Sequence, residues 1–120
     1  MATGYRWWFG LPIPANLPHP AGAVPAGYLI SSAQDMAQYL VAQLNEGRYL
    51  GTSVLSPTGI AELHYPAAPM HPDGAHAVAY GMGWAIRCSG EPSIWHGGDT
   101  ANFHSDMVLL PAHHLGWLWS

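Results

Sequence analysis

The sequence predicts an α+β fold in which an antiparallel sheet packs against flanking helices. Two segments combine helix start signals with apolar residues at helical spacing. Several short apolar segments, separated by turn residues, fill the second half of the chain, as is typical of neighbouring antiparallel strands. The 11 prolines and 14 glycines follow no repeat period, which indicates many turns and excludes a collagen-like or repetitive protein.

The chain contains few charged residues. Asp, Glu, Lys and Arg make up 8% of the residues, against about 25% in ordinary soluble domains, while 49% are hydrophobic. So little charge favours a portion of a larger domain, and we expect residues 1–120 to be the C-terminal portion of one domain, truncated at both ends. A net charge of -4 with only three basic residues argues against nucleic acid as a partner.

No targeting segment is recognisable in the sequence. The chain opens MATG, without the basic and apolar regions of a signal peptide, and no apolar run approaches the roughly 18 residues of a membrane span. The cellular compartment therefore stays open. Cys88 is the single cysteine, so it cannot form a disulfide within the chain.

Two helices are predicted in the first half. Residues 11–27 contain five prolines and are expected to form an ordered loop. Ser32 is suited to cap the helix that follows, which should run from about Ala33 to Asn45 with its apolar side in the core. Ser56-Pro57 has the capping hydroxyl and the N1 proline of a second, shorter helix.

Four strands are predicted in the second half, after a loop at residues 65–78 that is rich in proline and histidine. Three apolar segments read as successive strands, and a fourth follows a short turn; they occupy residues 80–87, 93–96, 105–110 and 115–119. Trp84 and Trp95 are expected to be core residues of these strands. The chain stops within the fourth strand pattern, which agrees with a truncated sheet.

Three blocks of the sequence together resemble the β-lactamase-like serine hydrolases. They are PAGYLISSAQDMA at residues 25–37, VLSP at 54–57, and YGMGW at 80–84 leading to WHGGDT at 95–100. The resemblance implies a partial β-lactamase/transpeptidase-like fold related to penicillin-binding proteins, class C β-lactamases, esterases and D-aminopeptidases. It also implies a small-molecule acyl, peptide or β-lactam substrate, no cofactor, no metal, and a periplasmic or extracellular setting.

The block His96-Gly97-Gly98 looks like the third motif of that family, KTG or HxG, which lies on an edge strand beside the catalytic serine. Two glycines after a strand would let an acyl substrate lie against bare backbone. His96 would offer a hydrogen bond, or a positive charge when protonated, to a substrate carboxylate or to the catalytic hydroxyl network.

Three more positions border the cleft if the resemblance holds. It implies that the backbone N–H of Asp99 is one of two donors of an oxyanion hole. It also implies that Thr100, in the loop after the glycines, and Tyr28, just before the first helix, contact substrate. The side chain of Asp99 is expected to be a turn residue and not a catalytic acid.

The sequence also departs from the family pattern. It contains no lysine, so it has no SxxK motif, and no tyrosine is followed two residues later by Asn or Ser. We expect the nucleophile in the missing N-terminal part of the same domain, a required partner, and expect the isolated chain to be inactive. Histidine in the third motif, mostly uncharged at neutral pH, favours an esterase or D-amino-acid peptidase over an efficient β-lactamase.

Two alternative functions remain open at this point. A noncatalytic interaction or sensor domain of the same fold would keep the sheet and the glycines without the chemistry. A small metal-binding module could use the histidine-rich loop, in which His64, His71, His76 and Asp73 are candidate ligands. That loop lacks a rigid ligand spacing, so a solvated polar loop is the preferred interpretation.

Overall fold

The computed structural model describes residues 3–16, 21–71 and 77–120. Six strands form one antiparallel sheet, and two small hairpins and two α-helices accompany it. In chain order the elements are β1 (Tyr5–Trp8), β2 (Leu11–Pro14), a 3-10 helix (Ala21–Ala26), α1 (Ala33–Leu44), β3 (Arg48–Tyr49), β4 (Thr52–Ser53), α2 (Pro57–Leu63), β5 (Ala68–His71), β6 (Val78–Tyr80), β7 (Ala85–Arg87), β8 (Ile94–Asp99), β9 (His104–Leu110), a 3-10 turn (Pro111–His113) and β10 (Leu115–Trp119). Neither α-helix of the described part is long and apolar enough to cross a membrane.

The large sheet is a meander, because its spatial order β10-β9-β8-β7-β6-β5 follows the order of the strands in the chain. All of β8, from Ile94 to Asp99, pairs with β9. β7 is shorter and pairs only with Ile94 and Trp95 of β8. Within the described residues, the second half of β8 therefore has a strand neighbour on one side only.

The first helix, α1, has defined signals at both ends. The Ser32 hydroxyl accepts a hydrogen bond from Asp35 N at 3.1 Å and donates one to the Asp35 carboxylate at 2.8 Å. At the other end, Gly47 N donates to Ala42 O at 2.8 Å while Glu46 adopts a φ of 53°, which is a Schellman arrangement. The predicted helix is confirmed, and it ends one residue before the expected boundary.

The core lies between α1 and one face of the large sheet. Leu40 of α1 is 3% exposed and belongs to the same buried cluster as Ile94 and Leu109 on the central strands. A Cβ atom on Gly116 of β10 would lie 3.6 Å from the Leu40 Cβ, so the glycine allows the helix to approach closely. Because alternate residues of a strand share a face, this side of the sheet also carries His96.

Trp84, at 2% exposure, is the largest fully buried side chain among the described residues. It precedes β7, and both helices contribute aromatic neighbours. The Tyr39 ring of α1 stacks on it with centroids 6.1 Å apart, and the His64 ring, at the end of α2, meets it edge-on at 5.6 Å. Burial raises the pKa of the Tyr39 phenol. Trp84 therefore joins the sheet to both α-helices, as its expected place in the core requires.

His64 should make the folded protein less stable in mildly acidic solution. Burial lowers the pKa of its imidazole, and its Nε2 atom is buried without a hydrogen-bond partner in the described structure. The unfolded chain binds the proton at the ordinary pKa of 6.5, so the free energy of unfolding should decrease as the pH falls from there toward the lower pKa of the folded state.

Thermal unfolding followed between about pH 8 and pH 5 measures this effect. His64→Phe should reduce the decrease in the free energy of unfolding as the pH falls. His113→Phe, at an exposed position, should leave that decrease unchanged. An identical pH profile for wild type and His64→Phe would contradict the assignment.

The strand predicted at residues 80–87 is wrong, because the chain turns within it. β6 ends at Tyr80 and β7 begins at Ala85, and Gly81 N donates to Trp84 O at 2.7 Å across the turn. Gly83 has a φ of 83°, which favours glycine. Gly81 and Gly83, which the predicted strand includes, therefore lie in the turn.

The loop predictions are also corrected. Residues 11–27 contain β2 and the 3-10 helix, and β2 pairs with β1 through a tight turn in which Phe9 and Gly10 have φ values of 43° and 82°. Prolines are tolerated in β2 because it is the edge strand of a two-stranded hairpin. The loop predicted at 65–78 contains β5, while residues 17–20 and 72–76 lie outside the described residues.

Candidate functional site

The glycine motif lies within β8, in the part that has an open edge, so the prediction that the strand ends at residue 96 is wrong. His96, Gly97 and Gly98 pair with Met107, Asp106 and Ser105 of β9, respectively. His96 is half-buried on the same face as the core residues, and Gly97 is exposed on the opposite face. The unpaired side of this segment offers backbone groups at the place where β7 no longer accompanies β8.

The two glycines have different reasons to lack a side chain. A Cβ atom on Gly98 would lie 2.8 Å from the Ser105 hydroxyl oxygen, so a side chain there would require Ser105 to rotate. A Cβ atom on Gly97 would come no closer than 3.8 Å to any described residue other than its chain neighbours, the nearest atom being Asp106 Oδ1. Packing within the described structure therefore disfavours a side chain at Gly98 but gives no reason for its absence at Gly97.

Asp99 is the last residue of β8 and pairs with His104, so the expectation of a turn residue there is wrong, and the turn to β9 begins at Thr100. The Asp99 carboxylate lies 3.6 Å from His104 Nδ1, with both side chains largely exposed. Thr100 N donates to Phe103 O at 2.9 Å, and the Thr100 hydroxyl accepts from Phe103 N at 3.2 Å. Both side chains thus have local structural partners, and the Asp99 N–H stays the group proposed for chemistry.

Tyr28 comes from a distant part of the chain. It lies between the 3-10 helix and α1, half-buried, with a φ of 65° that is unusual for a residue with a side chain. The other predicted site residues, from His96 to Thr100, are consecutive and are brought together by β8 itself. The role of Tyr28 at the cleft stays a prediction.

Sequence reasoning missed the residues that join the N-terminal hairpin to the end of β8. The Asn102 side-chain amide donates to Ala15 O at 3.4 Å and to Asn16 O at 3.1 Å. Gly4 is buried there, and a Cβ atom on it would lie 2.7 Å from the Asn102 Cβ. These contacts join residues 86 and 87 positions apart, so no local pattern could have indicated them.

The histidine-rich loop gives no support to a metal centre within the described residues. No group of three or more His, Cys, Asp or Glu side chains there could hold a metal ion. His64 packs on Trp84, and His71 is exposed at the end of β5. The other two candidate ligands, Asp73 and His76, lie outside the described residues.

Comparisons with known proteins agree with this architecture. The family model described as Beta-lactamase matches residues 1–119. The solved structure of an octameric penicillin-binding protein homologue from Pyrococcus abyssi superposes with a TM-score of 0.81 at 23% sequence identity, which shows a shared fold. The match covers 98% of this chain and 25% of that one. The search of curated proteins finds no significant match. With nearly its whole length matched by the family model, the chain belongs to the Beta-lactamase family.

Proposed function

We propose that this chain forms one wall of the active site of a serine hydrolase that transfers acyl groups from ester, amide or β-lactam substrates to water. The observation that carries the proposal is the bare, exposed Gly97 beside His96 on the open half of β8. The chain spans a quarter of the structural neighbour's length, so the nucleophile is assigned to residues outside it.

The open edge of β8 suits an extended acyl or peptide substrate. Such a substrate can place its backbone beside residues 96–99 and exchange main-chain hydrogen bonds with the unpaired side of the strand. A side chain at Gly97 would stand beside the strand edge along which that substrate lies. The absence of a packing reason for this glycine supports its role in binding.

The proposed chemistry is two-step acyl transfer. A serine oxygen from outside this chain attacks the substrate carbonyl carbon, and the Asp99 N–H helps to stabilise the negative charge that develops on the carbonyl oxygen. The leaving alcohol or amine departs with a proton, and water then cleaves the acyl-serine ester. His96 donates a hydrogen bond to the substrate or to the serine network, on the side of the sheet that faces α1.

Gly97→Ala tests the proposal in the full-length protein that contains this chain. The added methyl group has room in the described structure, so the free energy of unfolding should change by no more than about 1 kcal/mol. We expect kcat/KM for a para-nitrophenyl ester to fall by roughly 10-fold or more, because the methyl group obstructs the approach of substrate.

Gly22→Ala is the matched control, since Gly22 is exposed and a Cβ atom there would meet nothing within 4 Å. It should leave both stability and activity unchanged. Full activity of Gly97→Ala would contradict the assignment of the His96-Gly97-Gly98 motif to the substrate cleft. It would favour a noncatalytic interaction domain. The isolated chain, which has no lysine, should not turn over the ester.

A further inference from the structure

The β1–β2 hairpin exposes a group of large apolar side chains. Phe9, at the tip, is 92% exposed, and the whole group consists of Tyr5, Trp7, Trp8, Phe9 and Leu11. Residues that pair across two strands share a face, so Trp7 lies with Pro12 on one face and Trp8 lies with Leu11 on the other. A hairpin that packs on a folded partner needs only one apolar face, whereas this one exposes apolar side chains on both faces and at its tip.

Two prolines remove the free N–H donors along the outer edge of β2. Ala15 N donates to Gly4 O at 3.0 Å, which makes these two residues a hydrogen-bonded pair of the hairpin. Because hydrogen-bonded and non-hydrogen-bonded pairs alternate in an antiparallel ladder, residues 12 and 14 are the ones whose backbone nitrogens face away from β1. Both are proline, so the outer edge of β2 has no N–H donor. An unpaired donor is costly in apolar surroundings, and this edge avoids that cost.

The charge of this part of the chain is compatible with a lipid surface. None of the seven acidic residues precedes Asp35, and Arg6 is the one permanently charged side chain among the first 34 residues. Anionic headgroups at a membrane surface attract basic side chains and repel carboxylates. Tryptophan and tyrosine favour the boundary between headgroups and acyl chains, because each combines an apolar ring with a polar group.

The β3–β4 hairpin shows that the turn itself does not require apolar strands. Its turn residue Leu50 has a φ of 48°, close to the 43° of Phe9, and each is followed by a glycine with a φ of 82°. The strands of this second hairpin, Arg48–Tyr49 and Thr52–Ser53, carry mainly polar side chains. The apolar surface is therefore a property of the β1–β2 hairpin and not of this turn conformation.

We propose that the β1–β2 hairpin binds the surface of a lipid bilayer, with Phe9, Trp7 and Trp8 among the headgroups and the upper acyl chains. Its four-residue strands are about 13 Å long, too short to cross a hydrocarbon core of about 30 Å, so the hairpin enters the interface only. The Asn102 amide joins the base of the hairpin to the turn after β8, so a bound protein would hold the open edge of β8 near the membrane. The inference goes beyond the hydrolase function and does not depend on it.

The test measures how the full-length protein partitions onto vesicles of phosphatidylcholine and phosphatidylglycerol in equal parts. Phe9→Asn should lower the partition coefficient by about 5- to 30-fold, because it removes the apolar tip. The turn should persist, since Asn-Gly is a preferred sequence for a two-residue hairpin turn. Leu50→Asn makes the same kind of change in the matching turn of β3–β4, at a side chain that is 86% exposed, and should have no effect.

Quenching of tryptophan fluorescence by brominated phosphatidylcholine locates the contact, whatever other segment of the full-length protein touches lipid. Trp7→Phe keeps an apolar side chain but removes one indole from the hairpin, so the quenched intensity should decrease. Trp117→Phe, on β10, should leave the quenched intensity unchanged. Unchanged quenching in Trp7→Phe, or a wild-type protein that does not bind the vesicles, would overturn the proposal.

A protein occupant of the hairpin would give a different result. If the rest of the chain or a second copy covers the hairpin, Phe9→Asn should lower the midpoint of thermal unfolding or the molar mass measured by light scattering, without vesicles present. Either change would also overturn the proposal. With lipid as the occupant, both quantities keep their wild-type values and only the partitioning falls.

Discussion

His96→Ala should lower kcat/KM of the full-length enzyme by roughly 10- to 1000-fold, equivalent to about 1.4–4 kcal/mol of transition-state stabilisation. The imidazole is half-buried at the start of the open half of β8, where the proposed substrate would lie. Its removal deletes a hydrogen-bond donor to the substrate or to the serine network. The fold should survive, since His96 is not part of the buried apolar cluster.

The measurement is steady-state ester hydrolysis, accompanied by thermal unfolding to verify the fold. His113→Ala is the control, because His113 lies in the turn before β10 and pairs with Glu91 on the surface. It should keep full activity.

The pH dependence of activity then separates two roles of His96. Activity that declines as the pH rises indicates the imidazolium form, and activity that declines as the pH falls indicates the neutral form. A folded, fully active His96→Ala enzyme would refute the HxG assignment.

Trp84→Ala should cost about 3–5 kcal/mol of the free energy of unfolding, the largest stability effect that we expect for one substitution. The indole is buried and contacts Tyr39 of α1 and His64 of α2. Its removal leaves a cavity at the junction of the sheet with both helices. Because domains have a total stability of only about 5–15 kcal/mol, this loss would remove a large share of it.

Chemical denaturation of the full-length protein measures this loss. Trp7→Ala provides a control of the same chemistry, because Trp7 is 75% exposed on β1 and should contribute little. Trp84→Phe should fall between the two, since phenylalanine fills part of the space. If Trp84→Ala costs no more than Trp7→Ala, the contacts of Trp84 are not what joins the helices to the sheet.

Local signals predicted the parts of the fold that depend on neighbours in sequence. Ser32 and the turn after Leu44 define α1 because capping hydrogen bonds form within a few residues. β9 and β10 were recognised from apolar segments on either side of a proline turn. The same reasoning missed the turn at Gly81–Trp84, because glycines within an apolar run fit a strand and a tight turn equally well.

In the candidate site too, some features could be predicted from the sequence and others depend on the fold. His96, Gly97 and Gly98 are consecutive and could be read directly from the sequence. Their position on an open strand edge depends on the length of β7, which only the pairing in the sheet reveals. The contact of Asn102 with the β1–β2 hairpin gave no signal in the sequence, because it joins residues 86 and 87 positions apart.

That contact also has a consequence for the order of assembly. Every pairing in the large sheet joins strands adjacent in sequence, so the meander can form with short loop closures. The β1–β2 hairpin, by contrast, is joined to the β8–β9 turn by hydrogen bonds that span 86 and 87 residues. We expect the hairpin to dock after the meander has formed and to be the first element to detach. The hairpin would then separate from the β8–β9 turn while the rest of the domain stays folded.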